Sequence, residues 1–108
     1  MNVLLPGTLE MLILQTLTRK SLHGYAIVQS IQQVSEDLLK IEEGSLYPAL
    51  QRLLREGWVA AEWGMSARNR RVRTYRITPA GRKQLQREVS NFEKALLGIS
   101  RVLRPVEL

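Results

Sequence analysis

The chain has no cysteine and only one histidine, His23. Disulfides and thiolate metal sites are therefore excluded, and a histidine-built metal site goes with them. No metal or other cofactor is expected. Long apolar runs are missing as well, since none reaches the roughly 18 residues of a membrane span. The opening MNVLLPGTLEMLILQTLTRK is apolar but has neither a basic leader nor a small-residue cleavage site, so it reads as structure and not as a signal peptide. A cytoplasmic protein without membrane association is the expectation. Enzyme signatures are absent too: there is no Gly-rich phosphate loop and no histidine beside a Ser/Asp pair. Glu42 and Glu43 sit at a helix start, where the dipole favours acids, and do not read as a catalytic pair.

The most telling absence is local. Residues 63–87 contain eight basic side chains and no acidic one, whereas residues 1–44 carry three basic against five acidic. The net charge of +6 is thus concentrated in one block. A solvated surface usually mixes signs, so such a block points to a polyanionic partner. At 108 residues the chain is expected to form one compact unit with a small core.

Hydrophobic spacing supplies the architecture. Leu9, Leu12, Ile13 and Leu17 give a first helix over 8–19, opened by a Thr8 cap, with an apolar face broad enough for a central position. Lys20 to Leu22 reads as a connection. His23-Gly24-Tyr25 opens a second helix with a buried stripe at Ile27, Ile31 and Val34. His23 is expected to play a structural part there. The segment EGSLYPALQRLLREG (43–57) is a third helix, held by Leu46, Leu50, Leu53 and Leu54 and closed by Gly57. Beyond it the period becomes two: Val59, Ala61 and Trp63, then Tyr75 and Ile77, form an antiparallel hairpin with a basic tip. Trp58 and Trp63 read as core-filling. Thr78-Pro79 starts a last helix to about residue 103. Its Leu85, Val89, Phe92, Leu96, Ile99 and Leu103 make a seam of mean period 3.5. Such a helix is roughly 37 Å long, more than the rest of the chain can cover, so part of the seam is expected to join a second copy.

This order is that of a winged helix-turn-helix: mainly α with a small β-hairpin, a DNA-binding unit over 1–78 and a dimerisation helix over 79–108. A recognition helix buries one face and offers the other to the major groove. Gly44, Tyr47, Pro48, Gln51 and Arg55 fall away from the leucine face. Gly44 allows close approach of a backbone, Tyr47 can donate to a phosphate, Gln51 can pair with adenine, and Arg52 or Arg55 with guanine or phosphate. Ser45 can cap or meet a phosphate. Pro48 costs little if the helix begins near Glu43–Ser45. Arg68, Arg70, Arg71 and Arg73 have no core to support and point to nucleic acid. Tyr25 either meets a phosphate from a helix N-terminus or lies half-buried.

Taken together, LPGTLEMLILQTL (5–17), HGYAIVQSI (23–31), EGSLYPALQRLLREGWV (43–59) and RTYRITPAGRKQL (73–85) resemble the PadR family of transcriptional regulators along nearly the whole chain. The single last helix is similar to the smaller subfamily. The resemblance implies a homodimeric winged-helix protein that binds a pseudo-palindromic double-stranded DNA operator, usually a repressor released by a small-molecule effector. Tyr47 matches the family tyrosine near the start of the recognition helix, and the arginines at 68, 70, 71 and 73 match the basic wing. Phe92 matches a position where multidrug-sensing relatives carry a ligand-stacking tryptophan; phenylalanine keeps the stacking face and lacks the indole donor. Two other readings compete. A non-specific architectural DNA-binding protein would bind with steep salt dependence and little preference. A protein-interaction module would show an acidic or apolar outer face on the third helix, which Gln51, Arg52 and Arg55 do not provide.

Overall fold

The protein is described from a computed structural model, over residues 7–104. Leu5 and Pro6 of the first motif, and residues 105–108 of the last segment, lie outside the described residues. Helix α1 spans Thr8–Leu17 and buries Leu9, Met11, Ile13, Leu14 and Leu17, which makes it the central element of the core. Its cap is Gly7 and not Thr8: Gly7 turns the chain in at φ 85, and Thr8 is already helical. The helix also stops two residues earlier than its apolar pattern suggests. Thr16 and Thr18 donate their hydroxyls back to the carbonyls of Leu12 and Gln15, at 2.7 and 2.6 Å, a side-chain alternative that competes with helix propagation.

Strand β1, Leu22–His23, lies where only a connection is expected. Two residues are too short to show a period, and this strand exists through pairing: Leu22 opposite Tyr75 and His23 opposite Thr74. Helix α2 follows over Gly24–Val34. His23 caps it, its Nδ1 accepting from the Ala26 amide at 3.3 Å. Ile27 and Ile31 are buried as expected, but Val34 is 62% exposed. It shares their stripe yet occupies the last position of α2, where the stripe opens into a groove with Leu12 and Leu39. The connection to the next helix turns through Glu36 and Asp37, both left-handed, and Ser35 Oγ accepts from the Leu39 amide at 3.2 Å.

Helix α3 spans Glu43–Arg55 and packs on α1 and α2 through Ala49, Leu50 and Leu53, with Leu46 and Leu54 half-buried beside them. Gly57 ends it at φ 74. The Trp58 amide donates to Leu53 O and the Gly57 amide to Leu54 O, both at 3.1 Å, the paired bonds of a glycine-terminated helix. Strands β2 (Val59–Met65) and β3 (Arg71–Ile77) then form the hairpin, and the sheet order is β1-β3-β2, antiparallel throughout. Val59 faces Ile77 and Ala61 faces Tyr75, so this face closes the core.

Helix α4 runs from Pro79 to Leu103, capped by Thr78, whose Oγ1 accepts from the Gly81 amide at 3.0 Å. It packs along α1. Only its first part is covered: Leu85 is buried and Val89 half-buried, while Phe92, Leu96, Leu97, Ile99, Val102 and Leu103 are exposed. The molecule is accordingly elongated, 66 Å by 29 Å by 22 Å. Leu85 thus belongs to the chain's own core and not to a seam with another copy. Among the described residues, no helix is long and apolar enough to cross a membrane.

Candidate nucleic-acid interface

On α3 the leucines fix which residues look outward. At 3.6 residues per turn, Gly44, Pro48, Gln51 and Arg55 fall within about 60° of one another, opposite the buried stripe. All are exposed except Gln51, which is half-buried. Tyr47 stands at the flank of this strip and is 60% exposed. Ser45 is exposed on the other flank, its amide donating to Glu42 O at 2.9 Å in the tight first turn. Pro48 lies in the second turn of a helix that starts at Glu43, past the four amides a helix start leaves unpaired. Its ring therefore removes a hydrogen bond that the Gly44 carbonyl would otherwise accept. That carbonyl is at an exposed residue, where water can replace the donor. Proline is tolerated here through exposure and not through its place in the first turn.

Arg52 departs from the expectation. Its Nε donates to Glu10 Oε1 on α1 at 2.6 Å, and its Nη2 makes a second, shorter bond to the same oxygen. The guanidinium is turned to the α1 side and locks α3 against it. A helix position one step from Gln51 points about 100° away, enough to change its neighbour from solvent to α1. Arg55 keeps its outward place.

The hairpin carries the basic block. Its turn, residues 66–70, is closed by the Ser66 amide donating to Arg70 O at 2.8 Å, with Asn69 left-handed at φ 57. Arg68 and Arg70 stand exposed on this turn. Arg71 and Arg73 lie on β3, on the face that continues the core face outward, and Arg76 is exposed on the opposite face. Trp63 is not core-filling: it is 57% exposed, because β2 and β3 extend beyond the helices they cover. Its ring lies under Arg71, with the Arg71 Cζ 4.6 Å from the ring centre. Trp58 does pack against the core. Tyr25 is exposed at the start of α2, which settles its alternative against the half-buried one.

Near the middle of α4, Phe92 is 41% exposed and lines an open depression of about 190 Å³ with Gly7, Thr8, Met11, Glu88 and Asn91. Glu88 is the acid beside the ring, and its Oε1 accepts from Gln84 at 3.1 Å.

Three helices, a hairpin with an arginine tip and a long last helix define a winged helix-turn-helix protein. The chain matches the transcriptional regulator PadR-like family over residues 13–87. It is similar to a transcriptional regulator from Clostridium thermocellum, with 28% identity and a TM-score of 0.84 over 91% of this chain and 95% of that one. A PadR family transcriptional regulator from Eggerthella lenta is 31% identical, with a TM-score of 0.79 over 93% of this chain and 85% of that one. Bacillus subtilis PadR, in complex with operator DNA, shares the fold at 19% identity and a TM-score of 0.67; the match covers 94% of this chain and half of that one. The chain belongs to the PadR-like family, a family of transcriptional regulators and not of enzymes.

Proposed function

We propose that this protein is a homodimeric, sequence-specific regulator, acting as a repressor on a pseudo-palindromic operator and released by a small molecule. The observation that carries the DNA half is the outer face of α3, anchored by leucines and offering Gly44, Tyr47, Pro48, Gln51 and Arg55, in a chain whose hairpin holds five arginines and which has no acid from 63 to 87. Residues 1–78 read DNA. Gln51 and Arg55 meet base edges, while Tyr47, Ser45 and the arginines at 68, 70, 71 and 73 meet phosphates and fix the register. Tyr25 adds a phosphate contact from the start of α2.

Residues 79–108 join the protomers. The uncovered stretch of α4, from Phe92 to Leu103, is too apolar to remain in water along a whole helix face, and a second copy presents the same stretch. Two recognition helices joined in this way reach successive major grooves about 34 Å apart. The depression beside Phe92 takes a small effector that stacks on the ring, and the effector acts through a preference for one spacing of the two reading helices. The chain works in the cytoplasm.

A titration of the DNA upstream of the protein's own gene against a scrambled duplex tests the reading. Preference for the upstream DNA is expected. Equal affinities with steep salt dependence would replace the regulator reading with an architectural one.

A further inference from the structure

The outward half of the hairpin is a strand pair with no helix beneath it, and it gathers positive charge. Among the described residues, no carboxylate lies within ion-pair distance of Arg68, Arg70, Arg71 or Arg73. Like charges at this density repel one another, and arginine side chains have many rotamers to sample. Yet Arg71 and Arg73 are stacked. Tyr75 is 4% exposed in the core; the Arg73 Cζ lies 5.7 Å from its ring centre and 5.8 Å from that of Trp63. Beyond Arg73 comes the Trp63 ring, and then Arg71. The register produces the order: Trp63 is directly opposite Arg73, Ala61 opposite Tyr75 and Met65 opposite Arg71, all on one face. The result is a ladder of alternating rings and guanidiniums, rooted in the core and running to the wing tip.

Stacking holds a guanidinium by its face. All five N–H donors lie in its plane, so none is used by a ring beneath it. An ion pair does the opposite, as at Arg52, whose donors are taken up by Glu10. A wing that must present arginines to phosphates therefore gains from a ring and loses from a carboxylate. We propose that Trp63 is the positioning residue of the DNA-binding wing. Its indole holds Arg71 and Arg73 extended along the hairpin before DNA arrives, so the two guanidiniums meet phosphates with little side-chain freedom left to lose. This rests on the DNA-binding reading above. Trp63 itself does not touch DNA in this account, and it adds affinity without adding sequence information.

The test has two arms on the full-length protein. In the free protein, proton NMR reads the ladder directly: the Arg71 side-chain methylenes are expected to shift upfield under the indole, to keep most of that shift in Trp63→Phe, and to lose it in Trp63→Ala, while those of Arg73 keep the part due to Tyr75. Trp63 is more than half exposed, so both variants are expected to fold, with Trp63→Phe near the parent's thermal midpoint and Trp63→Ala lower by roughly 5–10 °C for the two lost contacts. In the second arm, binding to a mixed-sequence duplex of about two helical turns is titrated across a range of salt. Loss of two exposed cation–π contacts predicts that Trp63→Ala binds about fivefold to thirtyfold more weakly at every salt concentration. The slope of log affinity against log salt is expected to stay the same, because the phosphate contacts still form. Trp63→Phe is expected to recover most of the affinity. Arg71→Ala, by contrast, should lower the slope by about 0.9, one phosphate's worth. Unshifted methylenes in the parent would overturn the ladder whatever the DNA result. A Trp63→Ala affinity within twofold of the parent, a Trp63→Phe as weak as Trp63→Ala, or a slope lost on Trp63→Ala would overturn the positioning role. If instead Arg71→Ala and Arg73→Ala leave both affinity and slope unchanged, the wing does not meet DNA and the functional reading falls with it, while the NMR arm still reports on the ladder.

Discussion

Replacing Gly81 with alanine tests how α4 is joined to the sheet. A Cβ built at this position lies 2.0 Å from the Trp58 carbonyl oxygen and 2.9 Å from Ile77 Cγ1. Both neighbours belong to a fixed corner, since the Trp58 oxygen already accepts from the Thr78 amide at 3.0 Å and Ile77 is buried. The helix start must back away by about 1 Å or more to reach ordinary contact. Overpacking of this kind costs about 1–3 kcal/mol, and a strained Thr78 cap adds about 1 kcal/mol. Against this, alanine in a helix gains about 1 kcal/mol over glycine. A net loss of roughly 2 kcal/mol follows, and for a domain of this size that lowers the thermal midpoint by roughly 10 °C. Gly98, on the same helix, has nothing within 4 Å of its built Cβ. There the propensity term stands alone, and Gly98→Ala should raise the midpoint by a few degrees. Both variants are to be melted by circular dichroism at one fixed protein concentration. A Gly81→Ala midpoint at or above the parent's would refute the claim that Trp58 O sets the approach distance.

Three further outcomes are expected. Tyr47→Phe, which removes an exposed hydroxyl, should leave stability unchanged and weaken upstream and scrambled DNA alike by about fivefold in a mobility-shift titration, whereas Gln51→Ala should narrow the ratio between the two duplexes. Ile99→Asp should abolish dimers in sedimentation at micromolar concentration while circular dichroism stays native; a variant that remains dimeric would move the interface off the exposed part of α4. Glu10→Gln removes the charge from a pair whose guanidinium is half exposed and whose carboxylate is 12% exposed, so it should cost about 1–2 kcal/mol in urea unfolding. It should also leave DNA affinity no weaker than the parent's, because Arg52, held by Glu10, is not among the proposed contacts.

The elements that a reader can recover from the sequence are those with a sustained period or a distinctive cap. The Thr78-Pro79 start, the Gly57 stop and the leucine stripe of α3 all stand in the structure where local chemistry puts them. Strand β1 was not legible, because its two residues pair only once β3 is in place. Arg52 and Arg55 look alike in sequence, and only the position of α1 separates them, through Glu10. Trp63 shows the same limit from the other side. Its alternation with Val59 and Ala61 correctly assigns its face, but how far the hairpin outruns the core depends on the 66–70 turn and on the length of β3. The one clue was the aromatic on the same strand face as the expected core, opposite a strand rich in arginine. The seam of α4 was legible as a period, but where cover by α1 ends at Val89 is a fact of packing.

Thr78 lies where three parts of the molecule meet. Its hydroxyl donates to Gly57 O at 2.7 Å, its amide donates to Trp58 O, and its oxygen caps α4. The end of α3, the base of the hairpin and the start of α4 are therefore bolted to one residue and cannot swing independently. For a dimer joined along α4 this makes each protomer a rigid lever. A tilt of about 10° where the two long helices cross, carried over a helix of roughly 37 Å, displaces the far end by roughly 6 Å. That is a large fraction of a groove width, so in the proposed dimer a tilt of this size would put the two reading helices out of phase with the duplex without unfolding or loop rearrangement.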